Sequence, residues 1–256
     1  HPDADGVQGW AEGGHRGGRC SQGNPVRHHF QVPLNPSSER IYRLSLNLGL
    51  IDYGMGNLHS VEKCLERLDQ GCSLIQHADD LDEIDALILP GVGAFDPAMA
   101  NLRATGLVPH LLRWGQEDRP LLGICLGLQL LFEQSDEGND PGLGLLAGRV
   151  ERLPSNSGER IPHMGWAPLK HHGNCPLLSS TAPSEWLYFV HSYAAVPTDP
   201  NDLKASAPFG DQEVTAVVWR GRVGACQFHP EKSSDAGEQM LKRWLIWLRN
   251  GAAPFP

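Results

Sequence analysis

The feature that most constrains this chain is one strand-to-helix junction. Leu121-Leu122-Gly123-Ile124 is a short, wholly apolar run, and Cys125-Leu126-Gly127 carries it straight into an apolar helical stretch over Leu126–Phe132. A strand that enters a helix with no loop must turn sharply, and a glycine on each side of the cysteine permits that turn. Other apolar runs are equally short. Leu46, Leu48, Leu50 and Ile51 stop at Asp52-Tyr53-Gly54, Ser73–Ile75 forms a second run, and Ala86–Leu89 is expected to be cut off by Pro90-Gly91. Between the first two, Leu58, Val61, Cys64, Leu65 and Leu68 recur at helical spacing, with Gly71 just beyond. Short apolar strands alternating with helices predict an α/β fold of three layers, a mostly parallel central sheet flanked by helices. After Pro154 the pattern changes to strands and turns at Trp186–Val190, Val214–Trp219 and Val223–Phe228, which adds antiparallel strands. A last helix is expected over Ala236–Arg249, its core stripe Met240, Leu241, Trp244, Leu245 and Leu248.

Residues 1–45 differ in texture. They are rich in Gly and Pro, hold only isolated apolar residues, and show neither helical nor strand period. Such a segment cannot bury enough apolar surface to offset its ordering entropy. It is expected to be a disordered or non-native N-terminal extension, with a transit peptide as the alternative. Because the chain starts on His1, it is expected to be a fragment or a processed form. The folded unit is expected over 46–256.

Composition excludes some functions. With 21 Lys+Arg against 30 Asp+Glu the formal charge is −9, which argues against a nucleic-acid-binding surface. No apolar run approaches the roughly 20 residues that span a bilayer, so no membrane role is expected. Cysteines at 20, 64, 72, 125, 175 and 226 form no CxxC pair. Reduced thiols in a cytoplasmic setting fit better than a disulfide framework. No His/Cys spacing suits a metal, and neither metal nor cofactor is expected.

Three segments can carry chemistry. Cys125, at the elbow, is a candidate nucleophile, since the turn projects its side chain from the carboxyl edge of the sheet. The competing reading is a buried core thiol. His229-Pro230-Glu231 follows the last strand. It offers a general base and a carboxylate to fix the imidazole tautomer, or else an ordinary surface turn. Pro90-Gly91-Val92-Gly93 ends the third strand, where glycines let backbone amides approach a developing negative charge; alone, it reads equally as a plain loop.

Taken together, GICLG with Gln129-Leu130-Leu131-Phe132 behind it, and His229-Pro230-Glu231, resemble the triad-type class I glutamine amidotransferases. Further motifs are Asp52-Tyr53-Gly54-Met55-Gly56-Asn57-Leu58, Pro90–Phe95, Pro162-His163-Met164-Gly165-Trp166, Tyr188-Phe189-Val190-His191-Ser192-Tyr193 and Gln227–Ser234. These narrow the resemblance, over about 46–251, to the glutaminase subunits of imidazole glycerol phosphate synthase, in their stand-alone form rather than the fused one.

The resemblance implies a flavodoxin-like architecture and a division of roles. Cys125, His229 and Glu231 would be catalytic, with Gly91, Val92 and Leu126 as the oxyanion hole. Gly93, Gln129, Glu137, Ser192 and Tyr193 would bind L-glutamine. Asn57, His163, Trp166, Tyr188 and Lys232 would face the partner, with Trp166 as an anchor on an exposed loop. That partner would be a (β/α)₈ cyclase subunit in a heterodimer. It would use the ammonia to make imidazole glycerol phosphate and an aminoimidazole carboxamide ribonucleotide in histidine biosynthesis. The sequence departs from the family at Ala167, where Asn is usual. Two other readings stand beside this one: the glutaminase of another synthase, of anthranilate or aminodeoxychorismate type, and an inactive scaffold subunit. PHMGW and KSS oppose the first, and the intact triad opposes the second.

Overall fold

The computed structural model describes residues 45–181 and 184–256. The expectation for the N-terminal extension therefore concerns residues that lie, apart from Ser45, outside the described ones. Five strands form the parallel part of an eight-stranded sheet: β1 (Leu48–Ile51), β2 (Cys72–Ile75), β3 (Ala86–Gly91), β4 (Leu121–Cys125) and, far along the chain, β13 (Val223–Cys226). The intervening strands are β5 (Gln134–Ser135), β6 (Gly148–Arg152), β7 (His163–Pro168), β8 (Lys170–His171), β9 (Trp186–His191), β10 (Tyr193–Pro197), β11 (Leu203–Phe209) and β12 (Gln212–Arg220). The large sheet runs β2-β1-β3-β4-β13-β12-β11-β8, its last three strands antiparallel. Its parallel half has the flavodoxin-like order expected of a doubly wound fold. Two small sheets, β10-β6-β5 and the antiparallel ribbon β7-β9, sit outside it.

Among the described residues there are five α-helices: α1 (Leu58–Arg67), α2 (Phe95–Ala104), α3 (Val108–Gln116), α4 (Leu126–Leu130) and α5 (Ser234–Arg249). Alternate residues of each parallel strand point to opposite faces, so two cores form. On one face Leu48, Leu50, Ile88 and Ile124 pack with Val61 and Leu65 of α1 and with Met240 and Trp244 of α5. On the other Ile51, Leu87, Leu89 and Leu121 pack with Phe95 and Leu102 of α2 and with Leu111 and Trp114 of α3. These are the three expected layers.

Two boundaries differ from the sequence expectation. Pro90 does not end β3; it pairs with Ile124, and Gly91 pairs with Cys125. Proline's extended φ suits a strand's last residues, where a missing N–H costs little. The elbow helix is shorter than expected, closing at Leu130, and the next two amides, Leu131 and Phe132, bond three residues back, to Leu128 and Gln129.

Candidate active site

The elbow is built by close packing. A side chain at Gly127 would put its Cβ 1.8 Å from the Leu89 carbonyl oxygen, and one at Gly123 would meet the Gly127 backbone at 2.9 Å. Helix α4 can therefore lie directly on the strands only with glycine at both places. Cys125 itself holds φ +56° and ψ −112°, a conformation rare for any residue with a side chain. The strain aims Sγ away from the sheet and into a cavity of about 350 Å³. Val92, Gly93, Gln129, Glu137, Tyr193 and His229 are among its walls. A larger cleft, about 720 Å³, lies at the other edge of the sheet among Asn47, Asp85, Pro120 and Arg222, and brings no thiol to a base.

His229 leaves the end of β13, hydrogen-bonded into the neighbouring ribbon: its N–H donates to the Tyr188 carbonyl at 3.0 Å. Ser233 Oγ donates to the His229 carbonyl at 2.6 Å and accepts from Tyr188 N–H at 2.9 Å, locking the turn. His229 Nδ1 lies 2.7 Å from Glu231 Oε1, both side chains almost wholly buried. Glu231 Oε2, also buried, has no hydrogen-bond partner among the described residues, so the carboxylate addresses His229 alone. Burial pulls the imidazole pKa down, but hydrogen bonds with Cys125 and Glu231 and their charges outweigh it and hold His229 at about 9. An imidazolium beside a thiol is the arrangement that activates a cysteine nucleophile.

The oxyanion candidates are unequal. Gly91 lies in register with Cys125, and Leu126 opens α4 beside it. Gly91 needs its hydrogen, since a Cβ would come within 2.6 Å of Tyr53 Oη, which itself donates to the Pro90 carbonyl at 2.8 Å. Val92 differs: its N–H donates to the Met55 carbonyl at 2.7 Å, so this amide is engaged away from the site. Gly93 follows with φ +98°.

The expected glutamine-binding residues all line the cavity. Gln129 is 5% exposed, a buried group rather than a helix-surface residue, and its Nε2 donates to the Tyr193 carbonyl and to Gln227 Oε1, both at 3.1 Å. Glu137 is half-buried; its Oε2 accepts from Phe95 N–H at 3.0 Å at the start of α2, and burial raises its pKa.

The expected partner-facing residues divide. Trp166 lies in strand β7, not on a loop, yet is 48% exposed, in an edge contact with its register partner Tyr188 at 6.0 Å. Met164 (63%) and Trp186 (55%) extend this apolar surface of the ribbon. Lys232 is exposed, on the turn Pro230–Lys232 against which α1 packs, and Asn57 sits at the N-terminus of α1. His163 points inward instead, stacked on Phe189 at 4.9 Å with Nδ1 3.1 Å from His191 Nε2. Ala167 is packed in the core opposite Leu187, so its position supplies no side-chain hydrogen bond. Sequence reasoning gave no role to Gln227, His191 or Ser233, although all three stand inside the motifs it used; for Gln227 the available signal was a polar residue between Cys226 and Phe228.

The class-I glutamine amidotransferase family model matches residues 49–248. The chain belongs to that family. Within it, the imidazole glycerol phosphate synthase subunit HisH of Synechococcus sp. (strain CC9605) is 92% identical over 213 residues, 83% of this chain and 100% of that one. The HisH of Synechococcus sp. (strain CC9902) is 68% identical over 211 residues, 82% of this chain and 99% of its own length. Identities at this level place the chain among the HisH subunits. Among solved structures, a glutamine amidotransferase crystal structure superposes with TM-score 0.62 at 23% identity, covering 79% of this chain and 98% of that one. PurLQS from Thermotoga maritima gives 0.64 at 20%, covering 80% of this chain and 99% of its own. At those identities the likeness is one of fold.

Proposed function

We propose that this HisH-family chain is the glutaminase subunit of an imidazole glycerol phosphate synthase, acting through residues 46–256. The observation that carries the chemistry is Cys125 on its strained elbow, facing the cavity that also receives His229, itself 2.7 Å from Glu231. Cys125 Sγ attacks the carboxamide carbon of L-glutamine, and the carbonyl oxygen takes the negative charge. His229 delivers a proton to the leaving nitrogen, so the C–N bond breaks to ammonia and a glutamyl thioester. Water then attacks the thioester with His229 as base, giving glutamate and regenerating the thiol. Glu231 keeps the imidazole oriented and stabilises its cationic form.

Gly91, Leu126 and, after its peptide turns, Val92 stabilise the oxyanion. Gly93, Gln129, Glu137, Ser192 and Tyr193 hold the amino-acid end of glutamine. The partner is a (β/α)₈ cyclase subunit in a heterodimer, docked on the Trp166–Tyr188 ribbon near Asn57 and Lys232, with His163 acting from behind that surface. Ammonia passes to it and is built into imidazole glycerol phosphate and an aminoimidazole carboxamide ribonucleotide. The chemistry needs a thiol kept reduced, which a cytoplasmic setting supplies.

The test is Cys125→Ala in the assembled synthase. Glutamine-dependent synthesis is expected to vanish while ammonia-dependent synthesis persists, because the thiol takes part only in releasing ammonia. Loss of both in a correctly assembled complex would contradict this division of labour.

A further inference from the structure

Gln227 is wholly buried, yet it is neither part of the triad nor at the cavity wall. It stands two residues before His229, just past the end of β13, and its N–H donates to the Ala216 carbonyl at 2.9 Å. Its Nε2 donates to Cys125 Sγ at 3.8 Å and its Oε1 accepts from Gln129 Nε2 at 3.1 Å.

The direction of this bond is dictated from outside. The carbonyl of Tyr193 can only accept, so the Gln129 atom facing it must be the amide nitrogen. That same nitrogen faces Gln227, which must therefore present its oxygen to Gln129 and its nitrogen to the sulfur. Flipping either amide would set donor against donor or acceptor against acceptor. The Tyr193 carbonyl is itself held by His191 Nδ1 at 2.7 Å. Since His191 is buried and uncharged, its single ring proton lies on Nδ1, leaving Nε2 to accept from His163. One chain of hydrogen bonds thus runs from the β7–β9 ribbon to the nucleophile.

We propose that Gln227 is a positioning residue for Cys125: one N–H, aimed at sulfur by Gln129 and the Tyr193 carbonyl, holds the thiolate in its reactive orientation. A donor on sulfur favours the charged form and restrains χ1, whereas a residue that merely fills space would do neither. The proposal rests on Cys125 being the nucleophile and adds a group the triad does not contain. The titratable groups around the thiol are His229 with Glu231, Tyr53 and Cys226, and the hydrogen bonds of the Gln227 side chain go instead to Cys125 and Gln129.

Gln227→Met keeps length and removes both hydrogen bonds; Gln129→Met leaves Gln227 but removes what orients it. Iodoacetamide alkylation of Cys125, read by peptide mass spectrometry against pH, reports the thiol without needing glutamine. In Gln227→Met the profile is expected to move up by about one pH unit, roughly ten-fold in thiolate population, as for one lost hydrogen bond to a charged group. Gln129→Met is expected to move it the same way by less. In the complex, kcat for glutamine should fall about ten-fold in Gln227→Met with KM changing less, and ammonia-dependent synthesis should stay unchanged. An unmoved alkylation profile in a folded Gln227→Met protein would overturn the proposal. So would failure of both variants to fold, since Gln227 would then be structural. If the wild-type complex releases no ammonia from glutamine while the alkylation shift is seen, the glutaminase reading fails and the positioning role stands.

Discussion

On one side of Cys125, His229 and Glu231 are already in contact at 2.7 Å, buried, and fixed by Ser233 to the neighbouring ribbon. On the other side, the Val92 N–H that would meet the oxyanion instead donates to Met55 at 2.7 Å. On the roles proposed above, the nucleophile arm is assembled, whereas the oxyanion arm lacks the Val92 amide. The difference lies in what holds each arm. The first is held by side chains with a single good arrangement, whereas the second is the peptide joining Gly91 to Val92, with Gly93 at positive φ just after it, and glycine at those places lowers the cost of rotation. A site built this way can be kept ready and slow. One oxyanion donor is worth roughly 10²–10³ in rate, enough for a switch. A partner docked on the exposed ribbon and on the turn at Lys232 could bias that peptide through the interface.

The largest effect that would sharpen this contrast is on the assembled arm. Glu231→Gln keeps the shape but removes the charge that holds the imidazolium, and glutamine hydrolysis by the complex is expected to fall by roughly 10²–10⁴. Steady-state rates on a folded variant check it; a loss below ten-fold would show that His229 does not depend on Glu231. Next comes the loop. In Gly93→Ala the new Cβ would meet the Met55 methyl at 2.9 Å with φ at +98°, strain of about 1–3 kcal/mol. The partner-stimulated rate should drop by roughly ten-fold, with ammonia-dependent synthesis untouched. Equal stimulation in variant and wild type would remove the loop from the switch.

Smaller effects concern pH. His229, held at about 9 against an ordinary 6.5, contributes stability that is complete below pH 6.5 and is lost as pH rises through 9. His191, pushed to about 3 by burial, does the reverse: its contribution is present above pH 6.5 and is lost as pH falls toward 3. Denaturant titrations of wild type, His229→Asn and His191→Gln should show the alkaline slope weakened in the first variant and the acid slope in the second. Slopes unchanged in both would mean these residues titrate alike in folded and unfolded chains. The smallest expected effect is that of deleting residues 1–44, which should leave turnover unchanged and move Tm by less than the 2–4 °C that about 1 kcal/mol produces in a domain of this size.

Much of this was legible in the sequence. The parallel half announced itself because β1, β3 and β4 are buried on both faces and read as unbroken apolar runs, and GICLG has few uses other than an elbow. The helices α2 and α3 were harder to see, since Pro97 and Pro109 resemble breaks but sit in first turns, where proline is tolerated. The ribbon that carries Trp166 is six residues a strand and includes Gly165 and Pro168, so alternation was obscured. The proposed triad could be named from residue types and order, and the structure puts His229 2.7 Å from Glu231. The proposed role of Gln227 could not be read there, because the direction of its amide is decided by the Tyr193 carbonyl, which is remote in sequence. Nor does any sequence reveal which way the peptide before Val92 faces.

The contrast between the two arms is tested most directly by initial rates of glutamine hydrolysis in three mixtures: the subunit alone, with its cyclase partner, and with partner plus the partner's nucleotide substrate. If the Val92 amide is the missing piece, turnover is low alone and rises by about a hundred-fold or more when the nucleotide is added. Equal turnover in all three mixtures would contradict the account, since the site would then be complete without its partner.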